Sequence, residues 1–453
     1  MLYFLTKQLT IAAVRIFFDS ITAKHIDHIP DEGPVIFVAN HPNTLMDPLV
    51  IGTTCPRQLH FFAKSPLFNS WFNRTILTRL KLVPIYRKQD NPKQMDKNDQ
   101  TFARGFDILE NGGSFLIFPE GVSTGDRVLE KIKTGAARIG LGAEEKNNFN
   151  LNVNIIPVGL SYSNAIKFRS DILVRYGKPI SLKSFKNAYS HDSIETVHQI
   201  TSQIESTLSK LTTNVNEIEV MDIVECLERI YKKELMVEMG FKLDSKGDDF
   251  AATRGLIDAV EWYQDHYPEK VDEFRNMLST YLDDLNELDI QESFLGPGGE
   301  SLTLRNRLKA LCFMIVGFPI YMWGLIHNYI PYKLPRWIAK RSTDAKAEIA
   351  PFKMIYGLLV FVIIYGIELS LVQWLFHQWR LTIVWGLTLI PSGNFALKYI
   401  HHVREYKQHL KFLSLFYKER GQVFKLIEKR QHIIRFIDKA KELYYSENQL
   451  DSP

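Results

Sequence analysis

The 453-residue chain sets 55 Lys and Arg against 51 Asp and Glu, is 45% hydrophobic and holds three cysteines, a balance that excludes a disordered tail protein and a disulfide-framed secreted module. Cys55, Cys226 and Cys312 show no CxxC pairing, which removes a structural zinc site. The net charge of +4 hides a segregation: residues 214–300 carry 22 acids and 8 bases, a balance of −14, leaving +18 on a remainder that faces something anionic.

The chain opens on a helical pattern. Leu2, Leu5, Leu9, Ala12 and Ile16 share one stripe, with Lys7, Gln8 and Arg15 elsewhere on the wheel and no cleavage site beyond; this is neither a signal peptide nor a span. It reads as an interfacial helix or as an amphipathic helix on the protein core. From Pro34, β-rich runs alternate with helical patterns. Residues 34–39, 114–118, 153–158 and 172–176 read as strands, the first two nearly continuously apolar as in a buried α/β sheet. Asp192 and Glu195 cap a helix running to about Leu211. The acidic block is helical, with Val220, Ile223, Val224, Leu227 and Ile230 on one face, and ends at the turn Gly296-Pro297-Gly298-Gly299. It reads as an insertion that does no chemistry.

Three apolar stretches follow, at 310–332, 354–379 and 381–397, the second broken only by Glu368; with about 20 apolar residues needed per span, the chain reads as an integral membrane protein. Lys333, Arg336, Lys340, Arg341, Lys346 and Lys353 follow the first stretch, and Lys398, Arg404, Lys407 and Lys411 the third. Both flanks therefore belong on the cytoplasmic side, making the second and third stretches a hairpin. Arg305, Arg307 and Lys309 put the near end of the first stretch there too, so with Pro319 in its middle it reads as broken, re-entrant or interfacial. The other reading lays all three along the leaflet. A basic amphipathic helix, with Phe416, Val423, Ile427, Ile434 and Ile437 in its stripe, closes the chain. The expected regions are 1–28, an interfacial helix; 29–213, the α/β domain; 214–300, acidic and helical; 301–400, membrane-embedded; and 401–453, the basic helix.

Candidate chemistry sits directly after the first strand, in Ala39-Asn40-His41-Pro42-Asn43-Thr44-Leu45-Met46-Asp47-Pro48. Open α/β sheets place ligands at the carboxyl ends of strands. Asp47 precedes proline and is expected as an N-cap, with Pro48 opening the helix. The loop folds the imidazole of His41 onto the carboxylate of Asp47, fixing the tautomer and freeing the other nitrogen to take a proton from a hydroxyl. A histidine merely satisfied at a strand end is the plain alternative. Gly121-Val122-Ser123-Thr124-Gly125 matches the GxSxG elbow of a serine lipase or esterase with Ser123 as nucleophile, although Gly125-Asp126 extends the loop before any helical pattern. His25 and His28 have HxxH spacing without accompanying carboxylates, so no metal is expected. Nucleic acid would explain the basic surface but not the apolar stretches, and a non-enzymatic membrane scaffold would leave the motifs unexplained.

Val83-Pro84-Ile85-Tyr86-Arg87, Phe118-Pro119-Glu120-Gly121 and Ile156-Pro157-Val158-Gly159 complete four motifs in one order. The set resembles the glycerolphosphate acyltransferase superfamily, over roughly residues 29–211. Five residues separate His41 from Asp47 where the family usually has four, a spacing similar to that of eukaryotic-type glycerol-3-phosphate acyltransferases. The resemblance implies an α/β acyltransferase domain with a twisted, largely parallel or mixed sheet flanked by helices. It implies His41 as base and Asp47 as its orienter, Arg87 on the acceptor phosphate, Glu120 and Gly121 in acceptor binding, and Pro157 as the fourth block's proline. Lys64, Arg127 and Lys133, near the motifs, are further cations for the phosphate. The expected activity is transfer of a fatty acyl group from acyl-CoA or acyl carrier protein to glycerol-3-phosphate or 1-acyl-glycerol-3-phosphate. No cofactor beyond the donor is implied. The expected setting is a bilayer, with the catalytic domain on its cytoplasmic face.

Overall fold

A computed structural model describes residues 2–86, 98–213, 215, 218–295 and 304–448. It divides into two compact units: Met1–Asn214 with Ala339–Ile355, and Val215–Ile338 with Tyr356–Pro453.

The first unit runs α1 (Leu2–Phe17), β1 (Ser20–Lys24), β2 (Val35–Ala39), α2 (Met46–Thr54), β3 (Leu59–Lys64), α3 (Trp71–Arg79), β4 (Leu82–Ile85), α4 (Asn98–Glu110), β5 (Ser114–Ile117), α5 (Gly135–Lys146), β6 (Asn154–Tyr162), β7 (Asp171–Tyr176), β8 (Ile180–Ser181), α6 (Lys186–His191) and α7 (Ser193–Leu211). The strands form one sheet in the order β1-β7-β6-β2-β5-β3-β4, with β8 also on β6. β2 lies parallel to both β5 and β6, and β6 meets β7 and β8 antiparallel, so the sheet is mixed.

The continuous apolarity of β2 follows from two-sided burial, since successive side chains point to opposite faces. Val35, Phe37 and Ala39 meet α2 and α1 through Met46, Val50, Val14 and Phe17. Ile36 and Val38 meet α5 and α7 through Ile139, Ile200 and Ile204. The four expected strands are present, joined by β1, β3, β4 and β8. Asp192 caps α7, accepting from the N–H groups of Ile194 and Glu195 at 3.0 Å each. Helix α1 docks through Ala13, Val14 and Phe17, while the expected stripe of Leu9, Ala12 and Ile16 turns outward. One face thus belongs to the core and a second apolar face to the surroundings.

The second unit is helical: α8 (Ile218–Ile230), α9 (Lys232–Glu238), α10 (Lys246–His266), α11 (Pro268–Leu288), most of α12 (Leu304–Ser342) and α13 (Ile349–Phe376), α14 (Trp379–Lys418) and α15 (Arg420–Glu447). The acidic block has its counterpart inside this unit. Buried Arg430 of α15 donates to Glu234, Glu292 and the carbonyl of Ile230; Lys411 pairs with Asp289, Lys429 with Asp284 and Lys441 with Glu238. Phe274 stacks on Phe436. The basic C-terminal helices and the acidic helices are two sides of one bundle.

Residues Leu311–Ser342 and Lys346–Phe376 are long and apolar enough to cross a membrane. The break expected at Pro319 is absent: α12 continues through Pro319, Pro331 and Pro335 for 39 residues, about 58 Å against a hydrocarbon core of about 30 Å. Helices α13 and α14 form a hairpin, with Glu368 accepting from Trp385 at 2.7 Å and Thr382 donating to Gln373 at 2.8 Å. Helix α12 touches both arms of the hairpin: Asn328 meets Tyr365 and Tyr332 meets Phe361 on α13, while Met314 meets Tyr399 and Asn328 meets Leu389 on α14. Polar side chains gather where the three converge, as Asn328, Tyr365, His327, Glu368 and Trp385, the hydrogen-bonding glue of helices in apolar surroundings.

Candidate active site

The site is built from the carboxyl end of β2. Ladder pairing ends with Ala39 opposite Val158, and buried Asn40 then extends it with its side chain, donating to the carbonyl of Leu160 at 3.0 Å and accepting from its N–H at 2.8 Å. This two-way bond fixes where the chain leaves the sheet and therefore where His41 stands.

Asp47 lies within the first turn of α2, not at the N-cap position expected from Pro48. Its carboxylate points back into the loop and is fully buried. It accepts from Nδ1 of His41 at 2.8 Å, the N–H of Asn43 at 2.7 Å and the hydroxyl of Tyr162 at 2.5 Å. A buried carboxylate needs such donors, because desolvation of an unpartnered charge costs several kcal/mol. An acceptor at Nδ1 places the imidazole proton there and leaves the lone pair on Nε2. The ring of His41 stacks on Phe118 at 3.9 Å and keeps 19% of its side chain exposed. Asn43 secures the loop by donating to the carbonyl of Ala165 at 2.6 Å.

Glu120 follows β5 and accepts from the N–H of His41 at 2.9 Å. Burial pushes its carboxyl up to about 8, opposed by hydrogen bonds from the N–H groups of His41 and Glu130 and reinforced by nearby Asp47; it therefore holds its proton at neutral pH. Gly121 has φ +70°, backbone that favours glycine, and Nζ of Lys133 lies so close that a Cβ there would push the end of the lysine aside. The N–H of Lys133 returns to the carbonyl of Pro119 at 3.0 Å.

His41, Asp47, Glu120, Gly121 and Lys133 are thus linked at one end of the sheet. Lys64 is exposed at the same end, on β3, two strand spacings or about 10 Å from β2. Arg127 is half-buried in the loop between β5 and α5. Pro157 lies inside β6 opposite Val38, its carbonyl accepting from Gly177; it shapes the sheet beneath the site. Arg87 lies outside the described residues, immediately after Tyr86, whose N–H and C=O are both held by Asn98.

Ser123 is not on a nucleophile elbow. Its Oγ accepts from the N–H of Thr44 at 3.0 Å, and the next helix starts only at Gly135; the sharp strand-to-helix turn that exposes such a serine is missing. Asn40, Asn43 and Tyr162 are site residues that motif reading passed over. The asparagines flanking His41-Pro42 are turn formers that bond to backbone, a usable signal, whereas Tyr162 carried none.

Residues 20–161 match the family model described as Acyltransferase. Over 158 residues the chain is 31% identical to glycerol-3-phosphate O-acyltransferase 2 of Saccharomyces cerevisiae, covering 34% of this chain and 21% of that one. It is 24% identical over 263 residues to glycerol-3-phosphate O-acyltransferase 1 of the same yeast, covering 57% and 33%. The chain thus spans a third or less of the length of these relatives. Among solved structures, the 1-acyl-sn-glycerophosphate (LPA) acyltransferase PlsC from Thermotoga maritima is similar with 18% identity and a TM-score of 0.34, over 45% of this chain and 78% of that chain. Residues 20–161, which hold the strands that carry the motifs, thus match an acyltransferase domain, and the chain is similar to glycerol-3-phosphate O-acyltransferases.

Proposed function

We propose that the chain is a membrane-bound acyltransferase that moves a fatty acyl group from the thioester of acyl-CoA or acyl carrier protein to a hydroxyl of a phosphorylated glycerol. The observation that carries this reading is the buried Asp47 carboxylate holding Nδ1 of His41 at 2.8 Å. Nε2 removes the acceptor's hydroxyl proton as its oxygen attacks the thioester carbonyl, and the imidazolium formed is stabilised by Asp47. The tetrahedral intermediate collapses by expelling thiolate, which recovers the proton. Neither a covalent nucleophile nor a cofactor is needed. A general base contributes roughly 10²- to 10⁴-fold.

Lys133, beside Gly121, and Arg87 are the cations proposed for the acceptor phosphate. A protonated Glu120 holds the His41 backbone without adding negative charge beside that phosphate. Glycerol-3-phosphate is favoured over its 1-acyl derivative, because both yeast relatives are named for it. The domain is assigned to the cytoplasmic face, where the acyl donors are and where the basic flanks of the apolar stretches belong. The test is acyl transfer by membranes carrying the protein, with each donor, to glycerol-3-phosphate, dihydroxyacetone phosphate and 1-acyl-glycerol-3-phosphate. Arg87→Ala should raise the acceptor KM, and Arg87→Lys should not restore it, since the bidentate fork is lost. A faster rate on the 1-acyl acceptor reverses the substrate preference; no transfer to any acceptor refutes the reading.

A further inference from the structure

The segment joining the two long apolar helices is packed on the loop that carries His41 and Asp47. Residues Ala339–Ile355 belong to the first unit, far downstream of the family-matched residues 20–161. Within the segment, Lys346–Glu348 forms one turn of 3₁₀ helix. The hydroxyl of Thr44 donates to the carbonyl of Ala347 at 3.0 Å while its N–H donates to Ser123. Thr44 has φ +25°, so the one loop residue between His41 and Asp47 in left-handed backbone is gripped from two sides. Nζ of Lys346 lies 2.6 Å from Asp126. Gly125, at φ +82°, approaches so closely that a Cβ would meet the nitrogen of Ala347 at 2.9 Å.

The other flank of the loop is tied in as well. Lys353 donates to the carbonyl of Ile166 at 2.8 Å, next to the Ala165 carbonyl that Asn43 holds. Ala347, Ala350 and Met354 are buried, and the last two join the core that includes Met46 and Val50. Every non-covalent support named here meets either the 41–47 loop or a segment bonded to it.

We propose that Ala339–Ile355 is a clamp, a positioning element that holds the His41–Asp47 loop in its reactive geometry and ties catalysis to the apolar helices it joins. This rests on His41 acting as the base. Small displacements of a base lower turnover without weakening binding, because geometry is needed in the transition state. Both contacts, Thr44 with Ala347 and Asp126 with Lys346, join protein groups to each other, so for a positioning element the expected signature is a loss in kcat with both KM values held.

The test uses the full-length protein in membranes, with kcat and both KM values measured. Thr44→Val should lower kcat about 10-fold or more, and Thr44→Ser, which keeps the hydroxyl, should restore most of it. Asp126→Lys and Lys346→Asp should each lower kcat at least about 3-fold, and the double swap should recover it by restoring the pair with its charges exchanged. Wild-type kcat in Thr44→Val, or a double swap no better than either single, overturns the clamp. His41→Ala in the same assay separates the two claims: an inactive His41→Ala beside indifferent clamp variants overturns the clamp alone, and an active one overturns the mechanism beneath it.

Discussion

Asp47 reaches back from the first turn of its helix to within 2.8 Å of Nδ1 of His41, six residues earlier. The extra residue in this spacing is absorbed by the loop, which closes with Met46 bonded to the carbonyl of Asn43 at 2.8 Å. The tautomer is set by a carboxylate that can only accept. An asparagine in its place presents an amide that donates as well, so Asp47→Asn should lower kcat by roughly 10² or more while the protein still folds. Tyr162→Phe removes one of the three hydrogen bonds to the carboxylate and should cost about 2 kcal/mol of stability, with a smaller loss in kcat. Steady-state kinetics and thermal unfolding of both variants check the ordering.

Asn40 acts on geometry alone. Its amide replaces a pair of ladder bonds to Leu160, so Asn40→Ala leaves a buried N–H and C=O unsatisfied. The expected destabilisation is about 2–3 kcal/mol, accompanied by a fall in kcat because the exit direction of His41 is no longer held. Normal thermal stability in Asn40→Ala would contradict this account of the strand end.

Glu120 gives a pH dependence of definite sign. Its carboxyl is raised by burial from the usual carboxylate range to about 8, so between about 4.5 and 8 the folded state binds a proton that the unfolded state does not. Stability from this group is therefore fully present below the unfolded value and falls as pH rises through about 8. Glu120→Gln keeps a carbonyl for the His41 N–H and cannot ionise. Thermal unfolding of the two proteins from pH 5 to 8.5 should show the difference shifting in favour of the variant as pH rises; a constant difference contradicts the assignment.

Single cysteines in a Cys-free background report the topology. The clamp keeps residue 345 with the catalytic domain, and the α13–α14 hairpin turns at His377 and Gln378. Ala345→Cys and Glu405→Cys should react with a membrane-impermeant reagent only from the catalytic side, and Trp379→Cys only from the opposite one. Labelling of residue 345 from the far side would refute this arrangement.

Strands buried on both faces were legible in the sequence, because β2 is apolar at every position and β5 at every position after Ser114. So was the α7 cap, where Asp192 and its bonded N–H groups are neighbours in the chain. Strands β1, β3, β4 and β8 were not, being short or half-exposed, without continuous apolarity or clean alternation. The pre-proline rule misplaced Asp47, because its three donors, one of them Tyr162 from β6, outweighed a local capping preference. The acidic helices found their meaning only against Arg430, Lys429 and Lys441, and the clamp only against Thr44. Such pairings between distant residues leave no periodic trace in sequence.

The central claim is that His41, oriented by Asp47, is the base for acyl transfer to a phosphorylated glycerol. The direct measurement is transfer of a labelled acyl group from acyl-CoA and from acyl carrier protein to glycerol-3-phosphate, by membranes containing wild-type protein or His41→Ala at matched abundance. The account predicts transfer by the wild type and a loss of roughly 10²-fold or more in the variant, with a destabilisation of about 2 kcal/mol, like that of Tyr162→Phe, because buried Asp47 loses one of its three donors. Turnover near wild type in a well-folded His41→Ala protein would contradict it.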